Sequence, residues 1–245
     1  MAGVPTFVLT PILLVQAVWV AARAMRLPEA DGPRSGQSGV GPPLRVLILG
    51  DSSAAGVGAV YQEDALAGRL VAHLGADYDV QWTLWAQSGL TTSGMLRMLN
   101  TQPAHTFDVA VIALGVNDTK NGMHPTRWHS NYKKLLEQLR SRHGVRRVYA
   151  SGVPPLGAFP LLPRLLRDVL GARAARFDTI LADLCADQDG VEHLPFDLPL
   201  EPGLMAADGF HPGAQVYDIW AMRIADALRA NPPVALGSAA AVKTP

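Results

Sequence analysis

The chain has one cysteine, Cys185, among its 245 residues, so an intrachain disulfide is excluded and cysteine usage says nothing about the redox compartment. Neither positive nor negative charge is in excess, because 21 lysines and arginines balance 21 aspartates and glutamates. The basic residues are scattered rather than clustered, so we expect no nucleic-acid partner. His124 and His129 are five positions apart and do not share a helical face, so we expect no metal site.

Several nucleotide-binding and hydrolase motifs are missing as well. No Gly-x-Ser-x-Gly sequence occurs, which argues against an α/β-hydrolase fold. No Walker-type glycine-rich loop occurs either, and Gly56-Val57-Gly58-Ala59 is too short a match for a dinucleotide fingerprint. The sequence therefore carries none of these nucleotide-binding motifs.

What is present is an alternation of apolar runs and amphipathic stretches. With 49% apolar residues, this alternation predicts one α/β domain with a doubly wound, mostly parallel sheet. The runs at 45 and 108 are continuously apolar, as strands covered on both faces should be. The predicted order is strand 45–49, helix 62–74, strand 78–85, helix 93–99, strand 108–114, helix 125–143, strand 145–151, helix 161–187, a short strand or loop at 191–194, and helix 213–229.

Short polar motifs follow or precede these elements where strands or loops turn into helices. In a doubly wound sheet the carboxyl ends of the strands lie side by side, so residues at these positions can meet in one crevice. The motifs are Gly50-Asp51-Ser52, Ser88-Gly89-Leu90, Gly115-Val116-Asn117-Asp118 and Asp208-Gly209-Phe210-His211-Pro212.

A serine hydroxyl needs help to act as a nucleophile at neutral pH. It requires a general base within hydrogen-bond reach, and the base requires a third group that fixes its tautomer. Ser52, His211 and Asp208 can supply these three roles, because Asp208 and His211 lie on one short turn. We therefore predict Ser52, Asp208 and His211 as catalytic residues.

Acyl transfer also places negative charge on the former carbonyl oxygen, which needs fixed hydrogen-bond donors. The predicted donors are the backbone N–H groups of Ser52 and Gly89 and the side-chain amide of Asn117. Gly89 suits this role because it has no Cβ to block a substrate. Asn117 suits it because a neutral amide donates without adding charge.

Each motif also has a plainer interpretation. A strand followed by glycine and a small polar residue is also typical of an ordinary βα turn. Ser53 is an alternative candidate for the nucleophile next to Ser52. Asp51 and Asp118 are interpreted as supporting residues, because an aspartate beside a turn more often caps a helix or bonds local N–H groups.

Taken together, the four motifs resemble the blocks of the SGNH (GDSL) hydrolases, in order, from about Arg45 to Asn231. The resemblance implies a flavodoxin-like three-layer α/β/α sandwich and hydrolysis of esters or thioesters without a cofactor. Two departures from the family's sequence pattern affect the fit of the substrate more than the chemistry. Ser53-Ala54-Ala55 replaces the family's usual continuation after the serine, and Gln87-Ser88 precedes Gly89 where many members have asparagine or arginine.

The chain is divided by composition into an apolar segment 1–26, a Gly/Pro/Ser-rich linker 27–43, the hydrolase domain 44–231 and a disordered tail 232–245. Residues 4–22 carry no charge, and three interpretations stand: a membrane anchor, a signal peptide, or a helix packed on the domain. We favour membrane association, with a cytoplasmic or exported soluble form as the alternatives.

The function that combines these observations is a serine esterase of the lysophospholipase or carboxylesterase kind, acting on a small-molecule and lipid-like ester. A carbohydrate O-deacetylase of the same family is the alternative enzyme. A non-catalytic α/β binding module is the alternative from another class. Residues 156–163, rich in proline, are predicted to form part of the pocket rim.

Overall fold

Six strands form one sheet in the computed structural model, which describes residues 6–159 and 161–233. The strands are β1 Ser35–Ser38, β2 Pro43–Gly50, β3 Asp79–Ala86, β4 Val109–Ala113, β5 Arg147–Ser151 and β6 Val191–Leu194. The helices are α1 Thr6–Arg23, α2 Leu66–Leu74, α3 Thr92–Thr101, α4 Val116–Lys120, α5 Pro125–His143, α6 Arg164–Ala186 and α7 Ala214–Ala230. Short 3₁₀ turns lie at Gln62–Asp64 and Leu156–Ala158.

The strand order is β1-β3-β2-β4-β5-β6, and every pairing is parallel except that of β1 with β3. The parallel part has the doubly wound, flavodoxin-like order, which confirms the predicted fold class. Central strands β2 and β4 are neighbours, with Gly50 opposite Ala113. The loops that follow these two strands therefore leave the same edge of the sheet side by side.

Helices cover both faces of the sheet. Helices α2 and α7 pack together on one face, and α3, α5 and α6 cover the other. The predicted apolar stripe of α5 is buried throughout, which explains why the helix forms over the predicted residues. Its members are Trp128, Tyr132, Leu135, Leu136 and Leu139. Since both faces are covered, the continuous apolar runs of β2 and β4 lie in the core.

The segment 27–43 differs from the linker that its composition predicts. It contains β1, which adds an antiparallel edge strand to β3, and its Ala30 is buried. Glu29 accepts a hydrogen bond from the backbone N–H of Ser88 at 2.6 Å. Backbone hydrogen bonds between β1 and β3 order this stretch. The sequence shows no apolar pattern here, because all four residues of β1 are exposed.

Helix α1 lies within the predicted apolar segment and packs on the domain. The Oε1 atom of Gln16 accepts a hydrogen bond at 3.0 Å from the backbone N–H of Leu166, at the start of α6. Leu13 and Val20 pack against the core beneath. Within residues 6–159 and 161–233, no helix has the length and apolar character needed to cross a membrane. Residues 1–5, and 234–245 of the predicted tail, lie outside the described residues.

Candidate active site

The Gly50-Asp51-Ser52 turn begins where β2 leaves the sheet. A Cβ atom on Gly50 would lie 2.6 Å from the backbone oxygen of Ala113 and 2.4 Å from the Cβ of Ala54. Only glycine therefore lets the chain turn this tightly against β4. The turn delivers Ser52 to the edge of the sheet that the sequence predicts.

Ser52 meets His211 across this edge. Its Oγ lies 2.8 Å from Nε2 of His211, and Nδ1 of the same ring lies 2.5 Å from Oδ2 of Asp208. A carboxylate can only accept a hydrogen bond, so Nδ1 carries the proton of the neutral ring. Nε2 then accepts from the Ser52 hydroxyl, which is the geometry required to remove its proton.

Asp208 is held in its ionised form by its own loop. Burial on its own raises the pKa of a carboxyl, but hydrogen bonds from the backbone N–H groups of Phe210 and His211 and from the His211 ring outweigh burial. The net effect lowers the pKa of Asp208 below its ordinary value. An ionised Asp208 fixes the tautomer of His211 and can stabilise an imidazolium.

Two of the three predicted oxyanion donors have free hydrogens. Within residues 6–159 and 161–233, the backbone N–H groups of Ser52 and Gly89 have no hydrogen-bond acceptor. Gly89 has φ of +81°, a conformation that favours glycine, and a Cβ placed there would meet nothing within 4 Å. The space beside the Gly89 Cα is therefore open.

Asn117, the third predicted donor, is placed differently. Its Nδ2 donates to Oδ2 of Asp51 at 3.1 Å and to the backbone oxygen of Leu90 at 3.0 Å. Both amide hydrogens are therefore engaged with protein acceptors, and Asn117 lies behind the Asp51-Ser52 turn as a buried residue. Its role as an oxyanion donor stays a prediction, and it requires one of these hydrogens to be redirected.

Asp51 and Asp118 lie beneath the site. Burial is the largest influence on Asp51 and raises its pKa to about 6, although the backbone N–H of Ser53 donates to its Oδ1. Burial also raises the pKa of Asp118, whose Oδ2 accepts hydrogen bonds from the backbone N–H and Oγ1 of Thr92. The Asp118 contacts join the segment after β4 to the start of α3.

A cavity of about 500 Å³ opens beside Ser52. Ser52, Asp208 and His211 line it, whereas Gly89 and Asn117 do not. Most of its wall is apolar, and the volume falls in the range of small-molecule pockets. The apolar wall includes Leu156, Phe159, Leu162, Leu166, Leu170, Leu200, Met205, Phe210 and Trp220.

Part of this wall was predicted and part was not. Leu156, Phe159 and Leu162 come from the stretch 156–163, so part of the predicted rim lines the cavity; Pro160 lies outside the described residues. The contribution of α1 was missed. Ala17 and Val20 of α1, and Ala24 directly after its end, line the cavity at spacings of three and four residues, which is one helical face.

Ser53 also lines the cavity but has a different environment. Among the described residues its hydroxyl bonds to no imidazole, and its backbone N–H donates to Asp51. Likewise, in the described part of the chain no three histidine, cysteine or acidic side chains converge as metal ligands would.

Comparison with protein families gives a match to the GDSL-like lipase/acylhydrolase family over residues 48–219. This range begins inside β2 and ends inside α7, so it contains all four motifs. A search of curated proteins finds no match.

Solved structures share the fold. One is the psychrotrophic esterase EstA from Pseudoalteromonas sp., at 22% identity and a TM-score of 0.57, over 76% of this chain and 97% of that one. Another is an aryl esterase of M. smegmatis, at 18% identity and a TM-score of 0.58, over 76% and 99%. A third is a carbohydrate esterase family 2 enzyme of Corynascus thermopiles, at 14% identity and a TM-score of 0.61, over 83% and 68%.

Proposed function

The chain belongs to the GDSL-like lipase/acylhydrolase family, and from this premise we propose that it hydrolyses esters of apolar acyl chains, with Ser52 as nucleophile. The observation that carries the proposal is the hydrogen-bonded series from Ser52 through His211 to Asp208 at the wall of an apolar cavity. No other serine in the described residues has an imidazole within hydrogen-bond distance.

The reaction starts when Oγ of Ser52 attacks the carbonyl carbon of the ester. Nε2 of His211 takes the hydroxyl proton, and the carbonyl oxygen becomes an oxyanion that the N–H groups of Ser52 and Gly89 bind. Asn117 joins them if its amide turns from Leu90 toward the oxygen. When the tetrahedral state collapses, His211 gives the proton to the leaving alcohol and an acyl-serine forms.

Water then completes the cycle. Nε2 of His211 removes a proton from the water as it attacks the acyl carbonyl, and a second oxyanion forms at the same donors. Its collapse returns the proton to Oγ of Ser52 and releases the carboxylic acid. Asp208 stays ionised throughout, because its backbone hydrogen bonds favour the charged form.

The cavity wall favours an acyl chain over a sugar. Leucine, phenylalanine and methionine side chains offer no partners for hydroxyl groups, and each buried methylene is worth about 0.8 kcal/mol of transfer free energy. A lysophospholipase or carboxylesterase fits this lining. A carbohydrate O-deacetylase would need more polar groups to hold the sugar than this mostly apolar wall offers.

The test is a panel of p-nitrophenyl esters of increasing acyl length. We expect kcat/KM to rise from acetate toward medium chains, because each added methylene finds apolar wall. A preference for acetate combined with deacetylation of acetylated glycans would instead support the O-deacetylase.

A fluorophosphonate probe separates an enzyme from a binding module. We expect labelling at Ser52 in the native protein and none in Ser52→Ala, with Ser53→Ala as the matched control. A folded native protein that neither reacts with the probe nor hydrolyses any ester of the panel would support the non-catalytic module.

A further inference from the structure

The outward side of α1 is apolar and uncovered. Val15 and Val18 are 69% and 67% exposed, and Leu14 is 61% exposed, although a helix on a water-facing surface normally turns polar residues outward. Ile12 and Trp19 extend the same surface and are also about half exposed. We call these five residues the outer face of α1.

The inward side of α1 is fixed to the domain. Gln16 accepts a hydrogen bond from the backbone N–H of Leu166, and Leu13 packs on the core. Ala17 and Val20 line the cavity beside Ser52. The helix is therefore apolar on both sides, but each side has a different neighbour. Whatever covers the outer face lies one helix diameter, about 10 Å, from the cavity.

Charge at the end of α1 indicates what covers it. Arg23 and Arg26 are exposed, and residues 2–22 have no acidic or basic side chain. The guanidinium of Arg23 lies over the Trp19 ring, 4.5 Å from its centroid. An apolar helix face bordered by tryptophan and arginine, without acids, matches the boundary between acyl chains and anionic headgroups.

We propose that α1 is an interfacial helix whose outer face docks on an anionic lipid surface, while its inner face forms a wall of the acyl cavity. Docking brings the cavity to the lipid layer, so an acyl chain can pass from the layer to Ser52 without crossing bulk water. The proposed docking is supported by the exposed outer face and its neighbouring charges. The proposed passage of the acyl chain rests on the proposed function.

The test uses the full chain and two double variants. Val15→Glu with Val18→Glu places carboxylates on the outer face, at positions that do not line the cavity. Val40→Glu with Val60→Glu is the matched control, because those valines are 73% and 69% exposed but lie outside α1. Sedimentation with phosphatidylcholine vesicles, with and without phosphatidylglycerol, measures binding.

We expect the native chain and the control to sediment with phosphatidylglycerol vesicles more than with phosphatidylcholine alone, and the α1 variant to bind about tenfold more weakly or worse. Hydrolysis of a long-chain lysolipid held in the vesicles should fall in parallel. Hydrolysis of soluble p-nitrophenyl butyrate should be equal in all three proteins, since Ser52 and the cavity are unchanged.

Absence of vesicle binding by the native chain, or equal binding by the α1 variant, would overturn the proposal. So would a dimer that the α1 variant alone dissociates, because a second copy would then cover the outer face. Loss of soluble-ester activity in all proteins would refute the proposed function, whereas normal soluble activity without vesicle binding would refute only the docking.

Discussion

Asn117 donates to Oδ2 of Asp51 at 3.1 Å, and this one hydrogen bond ties the loop after β4 to the loop after β2. Asp51 precedes Ser52, so the bond fixes the turn that carries the proposed nucleophile. It lies in the protein interior, where loss of the Asn117 donor leaves Oδ2 of a desolvated carboxyl without this partner. The pair thus connects the stability of the fold to the geometry of the site.

The pKa of Asp51 predicts how stability depends on pH. Because burial raises this pKa to about 6, the folded protein keeps a proton that the unfolded chain releases near its ordinary pKa of about 4. The contribution of Asp51 to the free energy of unfolding should therefore decrease as pH rises from about 4 to about 6, by roughly 1.4 kcal/mol for each unit that separates the two pKa values.

Urea denaturation across this pH range measures the effect. Asp51→Asn should remove the part of this dependence that Asp51 contributes; Asp118, whose pKa is also raised, contributes with the same sign, whereas Asp208, whose pKa is lowered, contributes with the opposite sign. Asp187→Asn, at an exposed position beyond α6, is the control and should keep the native slope. If Asp51→Asn retained the full slope, Asp51 would not be its source.

Substitution of two adjacent serines tests which of them is the nucleophile. Ser52→Ala should lower kcat by about 10⁴-fold to 10⁶-fold, because the attacking oxygen is lost, while the melting temperature changes little. Ser53→Ala should stay within a few-fold of native activity, since the Ser53 hydroxyl bonds to no imidazole among the described residues. The opposite pattern would move the nucleophile by one residue.

Asp208→Asn tests the tautomer of His211. The Asn oxygen can still accept the backbone N–H groups of Phe210 and His211, but its NH₂ would face Nδ1 and donate to it. The ring proton then moves to Nε2, which can no longer accept from Ser52. We expect kcat to fall by about 10⁴-fold with the fold intact. Near-native kcat would show that Asp208 does not orient the base.

How far the sequence predicts this molecule depends on the kind of contact. The sheet, the α5 stripe and the meeting of Ser52 with His211 follow from periodicity and from strand ends that converge, so they were predictable. Strand β1 was not, because its pairing uses backbone groups of Ser35–Ser38 that carry no side-chain signal. The engagement of Asn117 with Asp51 was not predictable either, since the amide has several acceptors within reach.

Asn117 has a structural and a proposed catalytic role, and Asn117→Ala distinguishes them. If the amide also donates to the oxyanion, kcat should fall by about 10²-fold to 10³-fold, or about 2.7 to 4 kcal/mol, with little change in KM. Loss of the bonds to Asp51 and Leu90 should in addition lower the melting temperature.

To distinguish the structural role of Asn117 from the catalytic one, kcat is measured per folded molecule, well below the melting transition. Asn131→Ala is the control, because this half-buried amide donates to Ser93 on α3 rather than within the site. A lower melting temperature with native kcat would make Asn117 a structural residue alone.

The contribution of α1 to the cavity was hidden because its apolar residues cover both sides of the helix, so periodicity does not show which side meets the domain. Ala17 lines the cavity, and Ala22 is exposed elsewhere on the helix. Replacing each with tryptophan adds the same side chain inside and outside the cavity. Ala17→Trp should fill acyl-chain space next to Val20.

We expect Ala17→Trp to lower kcat/KM for long-chain esters while acetate and butyrate esters react at native rates. If the indole displaces about three methylenes, the loss is about 2.4 kcal/mol, or roughly 50-fold. Ala22→Trp should keep the native chain-length profile. Equal profiles for native protein and Ala17→Trp would mean that the acyl chain does not pass along α1, whereas a uniform loss at every chain length would indicate damage to the site around Ser52 instead of a shortened cavity.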